Sequence, residues 1–417
     1  MSSLRSLFAL LSLSLVCSPT RADNWPHWRG EGGNGVSTTA KPPTEWSETK
    51  NVKWKVAIPG RGSGSPIVWE DQVFVVTGVP AEGGARGALD FVVLCFNRQS
   101  GDLLWKQTAT TGTPHEGTHS TNNYASASPT TDGQHVYAHF GSQGLYCFTL
   151  DGQPVWSRVF GEMRTRNEFG EGSSPTIAGD KILVPWDHEG PSFLYALDKK
   201  TGEVIWRVER DEPTNWSTPL VVEHDGGEQV VMNGQNYARS YDLKTGDELW
   251  RCDGQTQRPA ASAVAMGDTV FVTSGFRGSF LGAFELDGRG DIEGTPDVLW
   301  TKSRDTPDIA SPLLSNGRLY YFKAKTGILT CLDAATGEPH YASERTKLRT
   351  TYASPVAANG YVYLSDRDGT TLVIKDADEY QEVATNNIGE TIDATPAPVD
   401  NQLFIRGERH LFCIADE

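Results

Sequence analysis

Three groups of residues in this chain have types and spacings that chemistry could use. His115 and His119 stand four apart in H-E-G-T-H, the separation that sets two imidazoles on one helix face for a zinc ion. A second group is a row of polar and aromatic residues, Arg61, Tyr124, Glu171, Trp216, Arg258, Asp308, Arg349 and Asp393, each two to five positions before a recurring Ser or Thr. Arginines beside aromatic rings suit an anionic or sugar-like ligand, or a partner peptide. Within that row Glu171 and Asp308 form a third group, two carboxylates for acid and base work. The histidine pair lies in a Gly- and Thr-rich stretch with no third ligand indicated, so it reads as solvated loop, and no metal is expected there. Acidic residues among eight such positions are also what chance supplies in an acidic chain, so no catalytic residue is assigned.

What must position these groups is a repeat. The phrase A-L-D-K-K-T-G-E-V-I-W runs from Ala196 to Trp206 and recurs from Ser240 to Trp250, from Cys331 to Tyr341 and from Cys95 to Trp105. Each copy reads as strand, turn and strand ending on a large aromatic. Asp and Thr bond nearby backbone groups and Gly admits a positive φ, so D-x-x-T-G is turn chemistry. A second phrase, Ser/Thr-Pro followed by an apolar pair, a turn and an alternating strand, precedes each copy. It starts at Ser65, Ser128, Ser174, Thr218, Ser262, Ser311, Ser354 and Thr395. The steps suit four short strands plus turns in each of eight units.

The closing aromatics Trp105, Trp156, Trp206, Trp250, Trp300 and Tyr341 end units one to six, the seventh ends less clearly near Val383, and the eighth stops at Ala415 one strand short. The missing strand is N-V-K-W-K-V around Trp54. An N-terminal strand that completes the last blade covers two edges at once. The sequence therefore predicts an all-β, eight-bladed β-propeller of four-stranded antiparallel blades over residues 51–417, preceded by a loop-rich arm at 23–50. His27 and Arg29 in the arm read as surface or packing residues.

Forty-three glycines, 23 prolines and 12 tryptophans agree with a turn-rich β chain. A net charge of −16 with no long basic run disfavours nucleic acid and anionic membrane surfaces as partners. Residues 1–22 read as a secretory signal with the apolar run Leu7–Val16, too short to span a bilayer. This predicts a periplasmic or extracellular protein with no transmembrane segment. Val16 stands where a lipoprotein cleavage box needs a small residue, so Cys17 is not expected to carry lipid. Cys95, Cys147, Cys331 and Cys413 share one repeat slot that elsewhere holds Ala or Ser, a slot for a small buried side chain. Equivalent slots on neighbouring blades should lie about 10 Å apart, beyond the ~7 Å reach of a disulfide.

At D-x-x-T-G-x-x-x-W the chain resembles the PQQ-type propeller repeat, shared by quinoprotein alcohol dehydrogenases and the outer-membrane assembly scaffold BamB. N-W-P-x-W-R-G with N-G-V-S, and later N-Y-A-S-A-S-P-T-T-D-G, resemble exported bacterial proteins of the same kind. The resemblance implies eight blades, and it implies that Trp54, Trp105, Trp156, Trp206, Trp250 and Trp300 are structural wedges. For the dehydrogenases it further implies a quinone over calcium held by Glu and Asn, with a catalytic Asp and commonly an adjacent Cys-Cys disulfide. Here no two cysteines adjoin, no C-x-x-C-H occurs, and the blade of Arg258 lacks the Asn. Neither PQQ nor calcium is therefore expected from the residues themselves.

The longer and chemically varied loops, Val79–Asp90, Lys106–Tyr124, Ser157–Glu171 and Trp186–Ser192, fall on one face by strand parity, and loops of that kind on a rigid scaffold concentrate binding. Turns after the second strands add His188, Asn236, Arg277, Lys323, Arg367 and Arg406 to that rim. The insertion Asp287–Asp297 falls on the opposite face. The expectation is a monomeric, non-catalytic scaffold that binds a protein or polysaccharide through the loop-rich face. The alternative is a quinoprotein dehydrogenase-like oxidoreductase with a degenerate site, and a third possibility is a carbohydrate-active enzyme using the funnel carboxylates.

Overall fold

The computed structural model describes residues 23–416; the secretory signal and Cys17 lie outside the described residues. The repeat phrase folds as its chemistry requires. Asp198 Oδ1 accepts from the Lys200 and Thr201 amides at 2.8 and 2.9 Å, and Thr201 Oγ1 accepts from the Glu203 amide. Gly202 then turns the chain at φ 73°. That glycine is required twice over, because a Cβ there would also come within 2.6 Å of the Trp156 ring on the blade before.

The cysteine slot has an equally local cause. Cys95 lies opposite Trp105, Cys147 opposite Trp156, Ala196 opposite Trp206, Cys331 opposite Tyr341 and Cys413 opposite Trp54 across the outer strand pair. A small side chain leaves room for the indole to fold over, and a register shift beside each pair accommodates it. The five described cysteines are buried and free.

Eight sheets result. Blade one comprises Ile67–Trp69, Gln72–Pro80, Leu89–Asn97 and Leu103–Gly112 in order from the axis outward. Blade eight is Ala397–Val399, Gln402–Arg406 and His410–Ala415, completed by Val52–Ala57. The N-terminal strand thus closes the ring, in antiparallel register with the last.

The Ser/Thr of the second phrase explain themselves at the axis. The amide of Ser65 donates to Ser128 Oγ, that of Ser128 to Ser174, and so on through Thr218, Ser262, Ser311 and Ser354 to Thr395. The amide of Thr395 donates back to Ser65 Oγ at 2.9 Å, closing a ring of hydroxyl-to-amide bonds through all blades. Each hydroxyl satisfies an inner-strand amide that has no ladder partner, which a buried N–H demands.

The wedges are less uniform than expected. Trp250 is wholly buried and Trp54 nearly so, whereas Trp105, Trp156, Trp206 and Trp300 are half-buried, their indole N–H groups donating to a carbonyl of the next blade. Trp250 owes its burial to the 287–297 insertion. Gly290–Asp291 adds a fifth, parallel strand outside Trp250 and Arg251, and Ile292 packs beneath it.

Blade seven lacks its aromatic: Ala384 occupies the slot, opposite Val373. Trp46 of the arm fills the gap instead, stacked on Tyr363 with centroids 6.3 Å apart. The arm also crosses the face opposite the long loops. Val36–Ser37 pairs with Val356–Ala358, and Arg29 is buried with its guanidinium donating to the carbonyls of Asn34, Pro312 and Pro355. Burial without a carboxylate partner pushes the Arg29 pKa down to about 9. Arg29 is a packing residue, as is His27, whose pKa burial pushes down to about 3.

Candidate functional site

The loops entering the first strands and those after the second strands lie on one face and are bonded together. Glu189 accepts from Thr214, Glu390 from the Arg409 amide, and Arg367 grips Asp393 at 2.5 and 3.1 Å. Between them a cavity of about 460 Å³ opens on the axis. The eight ring hydroxyl residues line it, and Trp28 of the arm reaches it.

Above the ring, the position two residues before each Ser/Thr lines the cavity in every blade: Ser63, Ser126, Gly172, Trp216, Ala260, Ile309, Tyr352 and Asp393. These are small in blades one to three and include Trp216, Tyr352 and Asp393 on the other side, so the cavity is lopsided. Longer loops then contribute His119, Phe169, Arg258, Phe276, Asp308 and Lys325.

Four of the eight sequence-predicted residues, Trp216, Arg258, Asp308 and Asp393, therefore meet in one cavity. Tyr124 and Glu171 line a smaller side pocket, with the Tyr124 hydroxyl donating to Glu116 O. Arg61 lines another small pocket with Arg367 and Arg406. Arg349 points away: its side chain is 82% exposed beside Asp368. The six second-turn residues do not line the central cavity. His188 is buried against the Arg164 amide and Pro191 O, Asn236 bonds Asp211, Lys323 pairs with Asp305 at 2.7 Å, Arg277 sits exposed over Phe276, and Arg406 is buried with its guanidinium on Gly64 O. His115 and His119 are not a ligand pair, since His115 Nε2 is 2.6 Å from Met163 O and His119 Nδ1 is 2.8 Å from Thr121 Oγ1.

Sequence reasoning missed Phe169, Phe276, Tyr352 and Lys325. For Tyr352 the signal existed, since it holds the same place before Ser354 that Trp216 holds before Thr218. The other three lie on loops whose direction no repeat dictates.

The electrostatics separate the two carboxylates. Glu171 receives the Ser142 amide at 2.7 Å and the Ser142 hydroxyl at 2.5 Å over Gly141, yet desolvation outweighs these bonds and raises its pKa to about 7. Asp308 is also raised by desolvation, against the pull of Lys325 and Arg258. The two line different cavities and do not act as a pair.

Arg258 is the most constrained group in the funnel. It has a left-handed backbone at φ 55°, and its guanidinium carbon lies 3.2 Å from the Phe276 ring centroid and 5.2 Å from that of Phe169. Its Nε is buried with no hydrogen-bond partner among the described residues. Burial lowers its pKa, and Asp308 opposes that.

A closed ring of eight blades carrying the D-x-x-T-G turn, with a polar funnel on its axis, defines a PQQ-type propeller. The chain belongs to the family described as outer membrane protein assembly factor BamB, whose model matches residues 36–184 and 166–370. No curated protein matches the sequence. Among solved structures it is similar to quinohemoprotein alcohol dehydrogenase from Comamonas testosteroni, at 10% identity and a TM-score of 0.65, over 96% of this chain and 82% of that one. It is similar to BamB from Moraxella catarrhalis at 13% identity and a TM-score of 0.58, over 87% and 99%. A computationally designed protein, Ika8, reaches 14% and 0.58 over 86% and 98%. At such identities the likeness is one of fold alone, compatible with a scaffold or a dehydrogenase-like protein. No helix among the described residues is long and apolar enough to cross a membrane.

Proposed function

We propose that this is an exported propeller whose axial funnel binds a small, planar anion of the aromatic carboxylate or quinone class. The observation that carries the reading is Arg258, stacked on Phe276 with its Nε unsatisfied, in a cavity that also holds Trp216, Phe169, Tyr352 and Lys325. Aromatic faces take a flat ring, and a guanidinium with an N–H left unsatisfied takes a carboxylate oxygen. Export rests on the apolar run Leu7–Val16 and places the protein in the periplasm or outside the cell.

Calcium does not fit this funnel. A hard cation wants six to eight oxygen ligands, and the funnel's Asp393 is held by Arg367 while Asp308 faces Arg258 and Lys325. Glu171 is turned toward Ser142. The quinone-over-calcium arrangement of the dehydrogenases is thus not reproduced.

The test is an absorbance and fluorescence titration of purified protein with PQQ as probe, with and without calcium. Saturable binding that ignores calcium, and that Arg258→Ala weakens about 10–100-fold, is expected for loss of a charged hydrogen bond. Absence of binding, or an unaffected Arg258→Ala variant, overturns the proposal. The second reading is then the stronger: a scaffold for a protein or polysaccharide on the same face, supported by the family model.

A further inference from the structure

A separate constellation lies on the face opposite the funnel. His224 ends the inner strand of blade four, Leu220–His224, and Asp225 begins the turn after it. Asp268 sits in the matching turn of blade five, and Asp287 opens the insertion that covers Trp250. The His224 imidazole is only 3% exposed. Its Nδ1 lies 2.9 Å from Asp268 Oδ1 and its Nε2 lies 2.8 Å from Asp287 Oδ1. One ligand atom each from His224, Asp225 and Asp287 falls within a 4.8 Å cluster. Among the described residues neither Asp225 nor Asp287 is paired with Lys or Arg, although the chain has 37 such residues.

We propose that His224 Nε2 and the carboxylates of Asp225 and Asp287 bind a divalent cation of the zinc type, with Asp268 holding the imidazole from behind. Metal-bound histidines characteristically donate their second N–H to a carboxylate, which sets the tautomer and the ring angle. Asp268 on Nδ1 meets that condition and leaves Nε2 for the cation, with Asp287 Oδ1 2.8 Å from it and an Asp225 oxygen in the same 4.8 Å cluster of ligand atoms. One imidazole nitrogen with carboxylate oxygens suits a borderline cation better than calcium or magnesium, which take oxygen alone. Two ligands at zinc distances and a tetrahedral angle stand about 3.4 Å apart. The Nε2 to Asp287 gap therefore has to open by about 0.6 Å. Asp287, whose side chain is 62% exposed, is free to make that movement. Three protein ligands leave a fourth position open to water. The cation would clip the insertion onto blade four at the edge where Gly290–Asp291 pairs with Trp250 and Arg251.

The experiment is calorimetric titration of untagged, chelator-treated full chain with zinc chloride, read beside the thermal midpoint. One equivalent of saturable binding with a rise in midpoint is expected. His224→Ala should lower the affinity at least about 100-fold, and Asp268→Asn should lower it about 10–100-fold at unchanged stoichiometry. Asp287→Asn, at an exposed position, should also lose binding and serves if His224→Ala fails to fold. No saturable binding, or binding that survives both His224→Ala and Asp287→Asn, overturns the site and leaves a protonated imidazole bridging two carboxylates.

Discussion

Trp46 is the residue whose removal tests the architecture most directly, because it stands outside every repeat and yet does a repeat's work. In blades one, two, five and eight an indole from the fourth strand packs on the second-strand aromatic, as Trp105 does on Phe74 at 5.9 Å and Trp54 on Phe404 at 5.8 Å. Blade seven has Tyr363 but only Ala384 in the fourth strand. Trp46 covers Tyr363 from the arm, 4% exposed, its amide donating to Asn386 Oδ1 at 2.8 Å. A buried Trp removes about 150–250 Å² from water, which at ~25 cal/mol per Å² comes to about 4–6 kcal/mol. Measured losses for such truncations run about 3–5 kcal/mol, and the indole N–H bonds to nothing, so no acceptor is orphaned with it. Trp46→Ala should therefore shift an equilibrium urea unfolding curve by about 3–5 kcal/mol, while the half-buried Trp206→Ala should cost distinctly less. A Trp46→Ala midpoint within about 1 kcal/mol of the wild type would refute the claim that the arm supplies the wedge between blades seven and eight.

The axial ring makes a sharper chemical prediction. Ser311→Ala strands the Ser262 amide and should cost about 1–3 kcal/mol. Ser311→Thr should be tolerated, since Thr218 and Thr395 already serve in that ring; thermal denaturation of the pair checks both. Glu171 sets a pH dependence. Its folded pKa of about 7 lies above the ordinary glutamate value of 4.5, so the folded state holds the extra proton, and its contribution is complete below pH 4.5 and lost as pH rises through 7. The thermal midpoint should fall across that window, and Glu171→Gln should flatten this part of the profile. The same slope in both proteins would remove Glu171 as its source.

Much of the fold was written in the chain because each repeat is a local solution to a local problem. Asp198 and Gly202 make their turn with neighbours a few residues away, so their pattern survives in any copy. The count of eight could be read from Ser65 to Thr395 for the same reason, and the missing strand from the aromatic at Trp54. The funnel was half legible. Counting back from the Ser/Thr gave the right part of the loop, and Trp216 and Asp393 stand at the position that lines the cavity in every blade. Arg349 is three residues further out, where the chain already faces solvent, so its side chain turns to Asp368. Glu171 is adjacent to the lining Gly172, and one step along an extended segment reverses the side chain, toward Ser142 and the side pocket.

The sequence by itself determined the blade, its turns, its wedges and the number of copies, since these rest on contacts within or between adjacent units. Only the tertiary structure decided what happens where distant segments converge. It closed the hydroxyl ring from Thr395 to Ser65, lent Trp46 to a blade that has no aromatic, and stacked Arg258 between Phe169 and Phe276. It also brought Asp268 and Asp287 to either side of His224. Contacts of that kind join residues tens to hundreds of positions apart, and nothing periodic in the chain announces them.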